Sequence, residues 1–103
     1  MSTIDRIETV EPGPEMDAAI ASKVMGWDAD QTDVYAPLFR PSTDIGAAMR
    51  VVDHLEESGV TIELRYSSTN KRWSCRIEDD VSAGPTAAMA ICQTALARSD
   101  DLG

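Results

Sequence analysis

At 103 residues with 43% hydrophobic content, the chain has the size of one domain around one modest core, which excludes wholesale disorder. Eighteen acids against nine bases leave a net charge of −9, which excludes a sequence-independent grip on DNA, since that requires a surplus of Lys and Arg. No apolar run approaches the roughly 20 residues that span a bilayer, and the start MSTIDRIETVEPGPE lacks the apolar core of a signal peptide, so the expected location is the cytoplasm, with no membrane partner.

Residues 1–13 are polar, end in a Pro/Gly-rich EPGPE and show no sustained period, and they read as a mobile acidic tail; residues 14–99 read as one domain and 100–103 as a frayed end. From Pro14 the pattern becomes helical over 14–25. Pro suits the first position, Glu15 and Asp17 complement the positive end of the helix dipole, and Met16, Ile20 and Val24 form a stripe. Gly26 stops that helix, and Trp27 folds back as a core anchor. The loop that follows begins acidic (Asp28, Asp30, Asp33) and becomes apolar (Val34, Tyr35, Leu38, Phe39). Pro37 and Pro41 disfavour both helix and central strand there.

Ser42 is the expected cap of a second helix over 43–58. Ile45, Ala48, Met49, Val51, Val52 and Leu55 lie on its inward arc, and Gly59 ends it. The period then drops from 3.6 to 2. In strands 60–67 and 72–78, Val60, Ile62, Leu64, Tyr66, Trp73, Cys75 and Ile77 point inward, with SSTNK as the hairpin link. DDVSAG breaks the pattern, and Pro85 opens a third helix over 85–98, with Ala88, Met89, Ile91, Cys92, Ala95 and Leu96 inward. The expected fold is therefore α+β: a small antiparallel sheet packed by three helices in the order α-α-β-β-α. A lone hairpin is marginal, so a further strand from the loop or from a second subunit would complete the sheet. Cys75 and Cys92 fall in strand and helix interior and read as reduced core thiols.

No catalytic constellation assembles from these residues. His54 lies near Asp53 and Glu57 on the polar side of a helix, a spacing open to a weak metal site but more simply a solvated helix end, and no metal or cofactor is assigned. There is no glycine-rich phosphate loop and no CxxC pair. Charge placement says more. Residues 59–77 hold Arg65, Lys71, Arg72 and Arg76 against Glu63 alone, a balance of +3, so the remainder carries −12. Alternation places Arg65, Arg72 and Arg76 on one face of the hairpin, a candidate anion-binding set. The helix from Pro85 to Ala97 has no charged residue and carries Thr86, Ala90, Gln93 and Ala97 on its outward side. That pattern implies either burial on two sides or a homodimer face.

The pieces EMDAAIASKVMGW, STDIGAAMRVVDHL, a Trp-bearing hairpin and PTAAMAICQTALA, in that order over residues 15–98, resemble the phage ABA sandwich domain family, small proteins of phage and prophage genomes. The resemblance implies an α/β fold with helices packed around a small antiparallel sheet, and no catalytic residue or cofactor. Pro41 departs from the tyrosine many members place before STDI. With the acidic surface and the absence of a catalytic set, the resemblance points to a non-enzymatic protein that occupies a host protein or protein–nucleic-acid complex, a counter-defence inhibitor of the anti-CRISPR kind. Asp30, Asp33, Tyr35, Leu38 and Phe39 are its expected contact residues. The alternatives are a nucleotide-sequestering protein using Arg65, Arg72 and Arg76, and a virion assembly protein.

Overall fold

The computed structural model describes residues 12–28, 30–31 and 38–102. Residues 1–11 of the expected tail, together with Asp33 and Tyr35, lie outside these. Helix α1 (Pro14–Ala19) starts at its proline and passes into a π-helical turn, Ile20–Val24, in which the Met25 N–H reaches the Ile20 carbonyl five residues back at 3.0 Å. The wider turn shifts the inward stripe. Met16, Ile20 and Ala21 are buried, whereas Val24, the expected third member, is only half-buried. Gly26, at φ +77°, ends the segment from the left-handed region as its position predicts.

Helix α2 (Ile45–Glu57) begins later than Ser42 would place it. Its cap is Asp44, whose carboxylate accepts the Gly46 N–H at 3.1 Å. The buried face is Ala47, Ala48, Val51, Val52 and Leu55, and Ile45 and Met49, expected inside, are exposed. Strands β1 (Ile62–Ser67) and β2 (Arg72–Ile77) form the expected hairpin, with Leu64 opposite Cys75 and Arg65 opposite Ser74. The DVSAG segment supplies a third strand the sequence pattern did not suggest, β3 (Asp80–Gly84), so the sheet order is β1-β2-β3, antiparallel throughout. A two-residue connection, Glu78 and Asp79, joins β2 to β3, with Glu78 at φ +56°.

Helix α3 (Ala87–Leu102) runs beyond the expected residue 98 and contacts β3, β2, α2 and the π-helical turn. Every residue from Ala88 to Cys92 is buried, as are Thr94, Ala95 and Leu96. A helix apolar nearly all round is a helix buried nearly all round, and this accounts for the charge-free run. Of its supposed outward side, Ala90 is fully buried and Gln93 and Ala97 half-buried, with only Thr86 exposed. Gly84 packs close against α3, since a β-carbon there would stand 3.0 Å from the Ala90 nitrogen. The Thr94 hydroxyl lies 3.0 Å from the Cys75 carbonyl and 2.8 Å from that of Ala90, joining helix to central strand inside the core. Both cysteines are free and buried. Among the described residues, no helix is long and apolar enough to cross a membrane.

Candidate functional site

The acidic-to-apolar loop returns to the core at Phe39, which is 4% exposed and stacks against Trp27 with ring centroids 4.8 Å apart. Pro41 and Ser42 are buried beside it. The Ser42 N–H donates to Asp17 Oδ1 at 2.8 Å, and the Ser42 hydroxyl accepts the Gly13 N–H at 3.0 Å. The loop end is thus tied to both the start and the stop of the first helical segment. Asp17 is a buried acid that sequence reasoning missed; its place in the first turn read it as a carboxylate complementing the helix dipole, and nothing local marks its partner 25 residues on. Within the loop, Leu38 is 80% exposed, and Asp30 is exposed as well. The expected contact set therefore divides: Phe39 inside, Leu38 and Asp30 at the surface, and Asp33 and Tyr35 outside the described residues.

The outer face of the hairpin carries the second set. Arg65 lies opposite Ser74, with Arg72 and Arg76 two residues to either side of that serine, so all three guanidinium groups share one exposed face as alternation requires. Arg72 leans toward β3, with Nη2 3.5 Å from the Ala83 carbonyl. A surface depression lined by Glu63, Arg65, Ser74, Arg76 and Val81 lies between the others. A second is lined by Thr61, Glu63, Arg76, Glu78 and Asp79, so that three acidic residues share its lining with Arg76.

The opposite face of the hairpin divides by strand. Cys75 and Ile77 are fully buried under α3, whereas Leu64 is 37% and Tyr66 53% exposed, although both were expected inside. Tyr66 leans on Trp73 at 5.1 Å. Helix α3 covers β2 and β3, which leaves these apolar groups of β1 at the rim.

Burial pushes the Cys92 thiol up to about 12, with the Asp17 and Cys75 charges adding to the effect. Burial also raises Cys75, against a lowering hydrogen bond from Thr94. Neither thiol is a ready nucleophile. His54 is half-buried near the end of α2, and among the described residues no group of three His, Cys, Asp or Glu side chains gathers closely enough to hold a metal ion.

The family model for the phage ABA sandwich domain matches residues 18–96. The fold is similar to the 2.0 Å crystal structure of a phage protein from Bacillus cereus ATCC 14579, with a TM-score of 0.61 and 25% sequence identity, over 84% of this chain and 90% of that one. No curated protein matches the sequence.

Proposed function

We propose, because this chain belongs to the phage ABA sandwich domain family, that it is a non-catalytic accessory protein that binds a host protein or protein–nucleic-acid complex, a counter-defence inhibitor of the anti-CRISPR kind. The observation that carries the reading is Leu38, 80% exposed, next to Phe39, which is buried and stacked on Trp27. A leucine held in water by a loop tied down on its C-terminal side is pre-organised for a partner's pocket, and ordering it on binding costs little. The exposed Asp30 and the net charge of −9 suit a basic partner surface of the kind that receives nucleic acid.

The test is capture from lysate of the bacterial host with the wild-type protein and with Leu38→Asp as bait, beside a phage-restriction assay in cells expressing each. The expected result is that the wild type recovers a defence protein or its nucleic-acid complex and relieves restriction, and that Leu38→Asp does neither. Capture of no defence protein, with restriction unchanged, sinks the reading.

A second reading is favoured by the register that gathers Arg65, Arg72 and Arg76 on one face around Ser74: sequestration of an anionic nucleotide. Calorimetry with cyclic and linear nucleotides separates the two, with binding lost on Arg72→Glu if the second holds. The acidic residues Glu63, Glu78 and Asp79, which share a depression with Arg76, weigh against it.

A further inference from the structure

The free edge of β1 is complementary to itself. Among the described residues, β1 pairs only with β2, and it does so over six consecutive residues without a bulge. Ile62–Ser67 contains no proline, no bulge and no inward-pointing charge, and its two charged residues, Glu63 and Arg65, are of opposite sign and lie on the outer face. The Glu78 N–H donates to the Thr61 carbonyl at 3.1 Å, so odd-numbered residues of this strand turn their main-chain groups toward β2. By alternation, the N–H and C=O groups of Ile62, Leu64 and Tyr66 face outward, and the side chains of the same three residues form the incompletely covered apolar row.

We propose that two copies of this chain join antiparallel along β1 about a two-fold axis normal to the sheet, Leu64 facing Leu64 of the partner subunit. In that register Ile62 faces the partner subunit's Tyr66, and all six main-chain groups of the three residues find partners. On the outer face Glu63 meets the partner subunit's Arg65, and Arg65 meets the partner subunit's Glu63. Within its own sheet Glu63 already faces Arg76, so each glutamate stands between two arginines. Shifting the centre to residue 63 sets Glu against Glu, and shifting it to 65 sets Arg against Arg. A one-residue slip would turn apolar side chains toward charged ones. Charge and pleat together select the register centred on Leu64, and the product is one six-stranded sheet with an isologous interface.

Sedimentation equilibrium on the full chain tests this with two charge reversals, Glu63→Arg and Arg65→Glu. The wild type is expected to dimerise, and each variant alone, which sets like charges opposite each other twice, is expected to raise the dimer dissociation constant about tenfold or more. An equimolar mixture of the two variants restores both opposite-charge pairs across a heterodimer and is expected to associate like the wild type. Because Glu63 also faces Arg76, weakening by Glu63→Arg alone has a second source in a disturbed protomer, whereas rescue on mixing has none. A wild type monomeric at every concentration, variants that associate as tightly as it does, or a mixture no more associated than its components would each overturn the proposal.

Discussion

The two long edges of one small sheet have opposite fates. Along β3, α3 closes down until only a glycine fits: at Gly84 a β-carbon would touch the helix backbone, and Cys75, Ile77 and Ile91 have no exposed surface. Along β1, on the other side of the same sheet, Leu64 and Tyr66 stand at the rim. The alternation of apolar and polar residues is as regular in β1 as in β2, so pattern does not separate them. Helix α3 packs on β3 and β2, and β1, the strand farthest from it, is left with partly exposed apolar groups. Stability is therefore expected to concentrate on the β2/β3/α3 side, and recognition on β1 and the loop.

The largest effect should come from the seam itself. Ile77→Ala removes a fully buried side chain and should lower unfolding free energy by about 3 kcal/mol, while Leu64→Ala, measured at low protein concentration, should cost about 1 kcal/mol. Urea denaturation reads both. Equal losses at the two sites would break the comparison and show β1 to be as well covered as its neighbours.

Next in size is the tie between the loop and the first helical segment. Asp17→Ala leaves the buried Ser42 N–H without its 2.8 Å acceptor, and a loss of about 2 kcal/mol is expected. Asp17→Asn, which keeps an oxygen acceptor, should recover most of it. If both variants lose the same amount, the charge and not the hydrogen bond fastens the loop.

How far these contrasts were legible in the sequence follows from the range over which each signal acts. The hairpin and the inward side of α3 were readable because period-2 and period-3.6 patterns are local. β3 was not, because Asp80, Ser82 and Gly84 have poor strand propensity, and the turn before it uses Glu78 at φ +56° where Gly or Asn would have signalled it. The cap moved from Ser42 to Asp44 because Ser42 is engaged with Gly13 and Asp17, partners 29 and 25 residues away. Of the candidate sites, the shared face of Arg65, Arg72 and Arg76 was legible from alternation alone. The opposite exposures of Leu38 and Phe39 were not, since they depend on where Trp27 lies in space.

A smaller effect separates the sealed side by pH. Folded Cys92 keeps its proton to about pH 12, whereas an unfolded thiol loses it near its ordinary value of 9.0. Above pH 9 the native state therefore binds more protons than the unfolded state, so stability falls as pH rises, by on the order of 1 kcal/mol per unit, and is unaffected by this group below pH 9. Chemical denaturation at pH 8, 9 and 10 should show a steeper decline for the wild type than for Cys92→Ala. Parallel slopes would mean that the thiol is reached by solvent and that the α3 side is less tightly closed than its packing indicates.

The smallest effect on the fold is expected at Leu38, where it sharpens the comparison most. Its side chain is 80% exposed, so Leu38→Ser removes almost no buried area and should change unfolding free energy by less than about 0.5 kcal/mol. Phe39→Ser, one residue later, opens a cavity against Trp27 and should cost about 3 kcal/mol or more. If the loop works as proposed, the order reverses for function: the stable Leu38→Ser protein loses its partner, and binding by Phe39→Ser falls only in step with its folded fraction. Thermal melts and capture experiments on the same two preparations read both orders. A Leu38→Ser protein that binds as well as the wild type would move the recognition surface away from the loop and toward the outer face of the hairpin.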